Sequence, residues 1–494
     1  MRLLKNAAAA ISQVVISAVF LFILYRFVVK TVGINGLGAW SVAMSTVSAS
    51  RIGDLGLTAS VTRFTSHYST IGDECKVAAV VTTVGITVTT TLLLLALALS
   101  PFLASILNFW LGAAQAQQVL ILLPALLISL IFSTIGNVFQ SALEGRQNYT
   151  QKAVLVCAGN FIFMAFGILL VSTYGIAGMA IAQIIQSLFL AGLGWILIKK
   201  TFQISQRSQF RWNSIIFREC IGYGSQVQIG GLALILSDVA TKFTLGKFGG
   251  LSSVGCFEIA TQLVFRIRML IVSANQVIVP FIARIGPESR ARIAGLYLDN
   301  FRLLMIFVPP LFGLIIYLTP FITKIWFGTH SHELNITVQS LCIFWGLNLF
   351  NVPAYFSNLG RGKVAWNTIG HIWIAITNIA LSTALGSVFG YRGVLLGFGI
   401  SLISGSFLIV FVFQREYNIK LWKNIKNEFY FGTALTASVV GISFLIYFAL
   451  GHFGEFFRVC LCCAFSLFIA MLFARKSIFL NSMINKIKNG DFVN

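Results

Sequence analysis

Eight ionisable residues lie inside segments that are otherwise apolar enough to cross a membrane. A charged side chain at the centre of a bilayer costs roughly 2.5–3.5 kcal/mol on insertion scales, so such residues usually face an interior or a water-filled cavity. The five cations are Arg26, Arg51, Lys242, Arg266 and Arg268, and the three carboxylates are Asp54, Asp238 and Glu258. The surplus of cations predicts a cavity that binds an anionic ligand.

Arginine suits a phosphate ligand because its planar guanidinium donates two parallel hydrogen bonds. We therefore predict that the five cations contact a diphosphate and its attached sugars, and that the three carboxylates act in coupling or charge balance. Two alternatives stay open. Arg26 and Lys242 lie near the ends of their segments and can snorkel to the interface. The spacings of Arg51 with Asp54 and of Asp238 with Lys242 also allow ion pairs within one helix.

The elements that must position these residues are membrane helices. The chain has 494 residues, of which 57% are hydrophobic and 10% charged, and its mean hydropathy is +0.88. Soluble domains carry about 25% charged residues, so a soluble enzyme is excluded. Apolar runs of about 20 residues predict fourteen spans. These are 7–29, 37–60, 77–99, 118–142, 153–172, 176–198, 221–245, 252–280, 300–323, 336–358, 366–388, 391–413, 431–450 and 456–474.

The distribution of positive charge predicts the orientation of the chain. With the N-terminus inside, 25 of the 35 Lys and Arg residues fall in inside segments and 5 in outside loops. The positive-inside rule therefore predicts that both termini are cytoplasmic. Because the charge is spread over every cytoplasmic loop, a nucleic-acid partner is not expected. The cysteines show no metal-binding spacing, so neither a metal nor a cofactor is expected.

The sequence also contains an internal repeat. Residues 37–43 (LGAWSVA) resemble residues 254–260 (VGCFEIA) at an offset of 217, and Gly145-Arg146 recurs as Gly360-Arg361 at an offset of 215. The cations follow nearly the same spacing, because Arg51 matches Arg268 at an offset of 217 and Arg26 matches Lys242 at an offset of 216. We predict an all-α integral membrane protein with two parallel six-helix halves, residues 1–198 and 220–413. A cytoplasmic linker at 199–219 joins them, and an extra helix pair with a tail follows at 414–494.

Three stretches resemble the polysaccharide-exporter branch of the multidrug/oligosaccharidyl-lipid/polysaccharide exporter (MOP) superfamily, whose fold is MATE-like. Residues 37–64 (LGAWSVAMSTVSASRIGDLGLTASVTRF) resemble the second helix of that branch. Residues 243–260 (FTLGKFGGLSSVGCFEIA) resemble its junction between the seventh and eighth helices, and residues 141–149 (SALEGRQNY) resemble the end of its fourth helix. The similarity extends over the length of the chain and its twelve-helix core.

This resemblance implies a flippase rather than an enzyme. Such proteins move undecaprenyl-diphosphate-linked oligosaccharides, the units of O-antigen, capsule or exopolysaccharide, across a bacterial inner membrane. Membrane lipids, a polysaccharide polymerase and a chain-length regulator are the implied partners. Two alternatives remain, a flippase for lipid II-type peptidoglycan precursors and a MATE-type drug or ion antiporter. A membrane glycosyltransferase ranks last because the short outer loops hold few acidic residues.

Overall fold

The structure is a computed structural model that describes most of the chain. The described residues are 2–54, 56–201, 212–276, 279, 282, 289–327, 331–449, 457–459, 461–462 and 464–466. Within these ranges the side chains at 2–11, 51, 52, 223, 225–227, 274, 325–327 and 447–449 lie outside the description. Every regular element in the described ranges is helical.

Thirteen α-helices follow one another along these ranges. They are α1 (Arg2–Ala49), α2 (Leu57–Ile71), α3 (Glu74–Leu111), α4 (Ala113–Leu120), α5 (Leu123–Gly145), α6 (Tyr149–Tyr174), α7 (Ile176–Thr201), α8 (Ser214–Asn275), α9 (Arg290–Phe327), α10 (His332–Asn348), α11 (Val352–Gly360), α12 (Ala365–Glu416) and α13 (Leu421–Ala449). Short 3₁₀ helices, Ser50–Asp54 and Leu349–Asn351, connect α1 to α2 and α10 to α11.

The predicted spans fall on these helices, and the chain is an all-α multi-pass membrane protein. Of the three long helices, α12 contains two of the predicted spans, and α1 and α8 each contain one whole span and the first part of the next. In the described ranges, nine helical stretches of at least 18 residues are apolar enough to cross a membrane. Of the predicted last span, 456–474, the structure describes only residues 457–459, 461–462 and 464–466, all of them helical.

Glycine joints divide the three long helices. Gly33 in α1 (φ 81°, ψ 173°) and Gly250 in α8 (φ 75°, ψ 179°) have nearly the same conformation and lie 217 residues apart. At positive φ a side chain would be strained, so glycine is the residue that allows these joints. Gly390 in α12 (φ 59°, ψ −145°) likewise matches Gly175 (φ 58°, ψ −142°), which lies between α6 and α7, at an offset of 215. The internal repeat therefore has a counterpart in the backbone.

Two of the repeated segments also cross each other at close range. A Cβ atom on Gly38 would overlap the backbone oxygen of Leu251, and a Cβ atom on Gly255 would overlap the backbone oxygen of Ile34. Both residue pairs are related by the offset of 217. The second part of α1 and the second part of α8 therefore pack around a local pseudo-two-fold axis.

The second predicted span is interrupted where its charges lie. Ser50–Asp54 forms a 3₁₀ turn, and Gly56 (φ 73°) precedes α2. The Asp54 Oδ1 atom accepts hydrogen bonds from the backbone N–H of Thr58 at 3.1 Å and from its hydroxyl at 2.8 Å. Asp54 thus satisfies an N–H group that the start of a helix leaves unpaired.

The chain forms two compact units. The first comprises residues 1–262 and 368–401, and the second comprises residues 263–367 and 402–494. Within the second unit, a buried cluster around Tyr297 and Phe413 joins α9 to α12. Another cluster, which includes Leu318 and Leu435, packs α13 against α9. The division into two six-helix halves at 199–219 stays a prediction.

Candidate functional site

A cavity of about 290 Å³ lies within the first unit. Helices α6 and α7 line one wall, and four further segments line the rest, namely the two parts of α1 and the two parts of α8 on either side of their glycine joints. Each segment contributes residues four positions apart, which lie on one face of a helix. These pairs are Leu21 and Tyr25, Ser41 and Ser45, Asp238 and Lys242, and Glu258 and Gln262.

The offset of 217 relates these lining residues across the cavity. Leu21 corresponds to Asp238, Tyr25 to Lys242, Ser41 to Glu258, and Ser45 to Gln262. The cavity therefore lies around the same local pseudo-two-fold axis as the glycine crossing. The repeat fixes the positions, whereas the residue types differ between the two members of each pair.

Lys242 lies between two carboxylates. Its Nζ atom is 3.2 Å from Asp238 Oδ2 and 3.0 Å from Glu258 Oε2. Asp238 and Lys242 therefore form the ion pair within one helix that their spacing allows. Lys242 and Glu258 are almost fully buried, but 45% of the Asp238 side chain is exposed. A buried charge is tolerated when it is paired and hydrogen-bonded, and Lys242 meets this condition.

Glu258 accepts hydrogen bonds from three further side chains. Its Oε2 accepts from the Ser41 hydroxyl at 2.6 Å, and its Oε1 accepts from the Tyr25 hydroxyl at 3.4 Å and from the Gln262 amide at 2.9 Å. The Ser45 hydroxyl donates to Asp238 at 3.5 Å. Glu258 is thus held by four donors, whereas Asp238 keeps open acceptor positions toward the cavity.

Helices α6 and α7 add a wall of amides. Gln183 donates to Gln186 at 3.0 Å, Gln186 donates to Asn160 at 2.9 Å, and Asn160 donates to the buried Ser17 hydroxyl at 2.8 Å. Because each amide nitrogen donates to an oxygen, and the Gln186 and Asn160 oxygens each accept from the preceding amide, this chain fixes the orientation of all three groups. Trp40 stacks on Phe163 beside them, with ring centroids 6.3 Å apart.

The ionisable residues of this cavity give it a different charge from the one expected. Among the described side chains they are one lysine and two carboxylates, a formal charge of −1 at neutral pH. Among the described side chains this cavity therefore has no surplus of cations, and the predicted cationic cavity stays a prediction. Among the predicted cations whose side chains the structure describes, Lys242 is the one that lines it.

Arg26 lies outside the cavity, on an exposed face of α1. Its neighbour Tyr25 lines the cavity in the position that corresponds to Lys242. Successive residues of an α-helix are rotated by about 100°, so a shift of one residue moves a side chain to another face. The offset of 216 that related Arg26 to Lys242 was one residue short of the offset shared by the rest of the site. A substrate contact of Arg26 stays a prediction.

The other predicted residues of the first unit are dispersed. The side chain of Arg51 lies outside the described residues. Asp54 lines a separate cavity of about 320 Å³ together with Thr58 and Lys152. Lys152 is paired with Glu144 at 2.8 Å. The proposed roles of Arg51 and Asp54 stay predictions.

Arg266 and Arg268 belong to the second unit, and Arg268 has a distinctive environment. Its Nε and Nη2 atoms donate to Asn348 Oδ1 at 3.2 and 3.1 Å. The guanidinium also lies over the Trp345 ring, 4.6 Å from its centroid. Within the described ranges no carboxylate pairs with Arg268. Arg266 is half-buried and has interaction partners of its own.

Several functional candidates carry weak sequence signals. Tyr25 could have been identified from the repeat. The offset of 217 that relates residues 37–43 to residues 254–260 also relates Tyr25 to Lys242. Asn160, Gln183 and Gln186 are amides in apolar helices. Charged side chains stand out in such helices because they are costly to insert into a membrane, and amides do not stand out in this way. Gln183-x-x-Gln186 places both side chains on one helical face, and this spacing is the signal that could have found them.

The model of a family described as "Polysaccharide biosynthesis protein" matches residues 36–334. No curated protein matches the chain in sequence. The solved structures that are similar in fold include the following three. The lipid II flippase MurJ in an inward closed conformation has a TM-score of 0.73 and 14% identity, covering 97% of this chain and 100% of that one.

A multidrug resistance MATE family transporter of the MOP superfamily in an inward-facing conformation has a TM-score of 0.69 and 13% identity, covering 83% of this chain and 98% of that one. A MOP superfamily transporter from Pyrococcus furiosus has a TM-score of 0.56 and 15% identity, covering 84% of this chain and 96% of that one. The chain therefore has the fold that these MOP superfamily transporters share.

Proposed function

Because the chain belongs to the polysaccharide biosynthesis protein family, we propose that it is a flippase for a lipid-linked oligosaccharide. The substrate is an O-antigen, capsule or exopolysaccharide unit on undecaprenyl diphosphate. The protein moves it across a bacterial inner membrane by alternating access, with both of its termini in the cytoplasm. A polymerase and a chain-length regulator act next on the product and are the proposed protein partners.

The observation that carries this proposal is the environment of Arg268. A cation within a predicted membrane span normally has a carboxylate partner or faces an aqueous path. Arg268 has neither a carboxylate nor a second charged partner among the described residues, and it is half-buried. An anionic ligand would supply the missing charge.

The geometry of Arg268 suits a diphosphate. A guanidinium has five N–H donors, and the two bonds to Asn348 use two of them. Asn348 is itself held, because its amide nitrogen donates to the Ser406 hydroxyl at 2.7 Å. The remaining three N–H groups can donate to phosphate oxygens in the parallel, bidentate arrangement that arginine favours. Stacking on Trp345 keeps the guanidinium plane in place without neutralising it.

Replacement of Arg268 tests the proposal in cells. Arg268→Ala should abolish the appearance of lipid-linked glycan in the outer leaflet of a deletion strain, because the diphosphate loses its charged contact. Arg268→Lys should restore part of the activity, since the charge survives and the bidentate geometry does not. The measurement is labelling of surface glycan, normalised to the amount of protein in the membrane.

Arg392→Ala is the matched control, because Arg392 is an exposed arginine whose recorded contacts are with Tyr391. It should leave glycan export unchanged. Normal export by Arg268→Ala at a normal protein level would show that Arg268 does not bind the substrate, and the proposed role of this residue would be wrong.

A drug or ion antiporter is the second candidate, and one observation favours it. The formal charge of −1 at the cavity of the first unit suits a cationic ligand. Efflux of ethidium from cells that express the protein separates the candidates. A flippase should give no efflux above the empty-vector control, whereas an antiporter should lower ethidium accumulation and leave surface glycan unaffected.

A further inference from the structure

The cavity of the first unit has polar groups that its internal bonds leave open. Each of the three amides uses one N–H in the chain from Gln183 to Ser17. An amide nitrogen carries two N–H donors, so a second donor remains on each. In the part of the chain that the structure describes, the Gln183 oxygen and the Ser48 hydroxyl have no hydrogen-bond partner. Both residues line the cavity.

The open groups match the chemistry of a sugar. Sugar hydroxyls both donate and accept hydrogen bonds, and amides and serine hydroxyls can satisfy both roles. The wall formed by Trp40 and Phe163 offers an apolar surface beside these groups. Ligand sites commonly combine an aromatic wall with a few convergent polar groups. At about 290 Å³ the cavity has room for a small part of an oligosaccharide.

The carboxylates determine which sugars fit. Glu258 is saturated by its four donors, but 45% of the Asp238 side chain is exposed. A carboxylate only accepts hydrogen bonds, so Asp238 favours a ligand that presents a hydroxyl or an ammonium group. The described side chains of the cavity carry a formal charge of −1 after pairing with Lys242, and a second negative charge at close range is repelled. A sugar that bears its own carboxylate is therefore disfavoured.

From these contacts we propose that the first-unit cavity is a glycan subsite that binds an uncharged or amino sugar and excludes a uronic acid. This inference rests on the proposed flippase function. It separates two recognition tasks, with Arg268 contacting the diphosphate and the amides and Asp238 contacting the sugar. Specificity then comes from repulsion of the wrong sugar as well as from bonds to the right one.

The test compares soluble trisaccharides of equal size that differ in one sugar, namely a hexose, an amino sugar with a free ammonium group, and a hexuronic acid. Binding to the full-length protein in lipid nanodiscs is measured by saturation-transfer NMR. The hexose and amino-sugar probes should bind, and the hexuronic acid probe should bind at least about tenfold more weakly, a difference of about 1.4 kcal/mol. Equal or tighter binding of the hexuronic acid probe would overturn the proposal.

Two variants assign the effect to residues. Asp238→Asn should bring the hexuronic acid probe to within about threefold of the hexose probe, because the charge is removed and the shape is kept. Gln183→Leu should weaken all three probes, whereas Gln118→Leu should change none, because Gln118 is exposed outside the cavity. The melting temperature of each variant shows whether it is folded. Unchanged discrimination in folded Asp238→Asn would contradict the assignment.

A fourth probe, undecaprenyl diphosphate without a glycan, separates this proposal from the flippase function. It should bind to the Gln183→Leu variant as to the wild type, and it should bind poorly to Arg268→Ala. Binding of the lipid diphosphate with no binding of any trisaccharide would reject the glycan subsite and leave the flippase proposal standing. Binding of the trisaccharides with no binding of the lipid diphosphate would reject the diphosphate contact and leave the glycan subsite standing.

Discussion

Two sides of the first unit use the same repeated backbone differently. Helices α6 and α7 present Asn160, Gln183 and Gln186 to an open cavity. At an offset of 215 the corresponding residues of α12 are Ala375, Phe398 and Ser401, and all three are buried. Phe398 packs edge-on against Phe257, with ring centroids 5.6 Å apart. One side keeps a cavity, and the other side is closed by packing.

The amide that remains on the packed side is used internally. Asn378 is fully buried, and its Nδ2 lies within hydrogen-bond distance of the backbone oxygen and hydroxyl of Ser237 and of the Thr241 hydroxyl, at 2.7–2.9 Å. Ser237 and Thr241 each precede a cavity residue, Asp238 and Lys242. Asp238 and Lys242 thus face the cavity side, and the adjacent Ser237 and Thr241 contact the packed side. In this repeated fold one side retains a cavity, and the polar groups of the other side bond to one another.

The largest effect is expected at the charged pair on the cavity side. Lys242→Met leaves Asp238 and Glu258 without their cation, and breaking a buried pair costs about 3–5 kcal/mol. The free energy of unfolding in detergent should fall by that order. Adding Glu258→Gln should restore part of the loss, because one of the uncompensated charges is removed. A double variant no more stable than Lys242→Met would show that the two residues are not coupled.

A smaller loss is expected on the packed side. Asn378→Leu leaves the Ser237 hydroxyl without its amide partner, whereas the Thr241 and Ser382 hydroxyls still donate to backbone oxygens. One buried group left unsatisfied costs about 1–3 kcal/mol. Stability should fall and sugar selectivity should stay unchanged. Gln183→Leu should show the reverse, with lost sugar binding and nearly unchanged stability. The same pattern for both variants would remove the distinction between the two sides.

Substitution of either glycine at the crossing of α1 and α8 should lower stability by a similar amount. Gly38→Val and Gly255→Val each force a side chain against a backbone oxygen of the partner helix, and overpacking costs about 1–3 kcal/mol. Thermal unfolding should show losses of similar size for both. Gly85→Ala is the control, because nothing lies within 4 Å of its added Cβ. A large loss at only one glycine would show that the crossing is not symmetric.

The smallest effect is expected at Tyr25. Tyr25→Phe removes one donor of Glu258 and leaves Lys242, Ser41 and Gln262 in place. A single hydrogen bond contributes about 1 kcal/mol, so stability should fall by no more than that. Phe20→Leu, on the same helix outside the cavity, serves as the comparison. A loss several times larger would mean that Tyr25 positions Glu258 more than its long 3.4 Å bond indicates.

The helices could be predicted from hydropathy, because an apolar run of about 20 residues has few alternatives to a membrane helix. Their joints could not be placed this way. The helix continues through residues 30–32, and the chain turns at the single glycine Gly33, which hydropathy does not mark. The interruption at Ser50–Asp54 likewise depends on local capping by Asp54 rather than on hydropathy.

The site was only partly predictable. Asp238, Lys242 and Glu258 were identified because charges in a membrane span are rare, and the structure brings all three together. Arg26 and Tyr25 are adjacent, and the offset of 217 relates Tyr25, rather than Arg26, to Lys242. The amides of α6 and α7 were missed because their role depends on the tertiary contacts among Asn160, Gln183 and Gln186. The sign of the cavity charge depends on which cations reach it, and spacing does not determine that.

The most direct test of the proposed flippase function uses the purified protein in sealed vesicles. A fluorescent lipid-linked oligosaccharide is placed in one leaflet, and its arrival in the opposite leaflet is followed by quenching with an impermeant reductant. Wild-type protein and Arg392→Ala should move the lipid at the same rate, and Arg268→Ala should move it no faster than empty vesicles. No movement by folded wild-type protein under an imposed sodium or proton gradient, or unchanged movement by Arg268→Ala, would contradict the account.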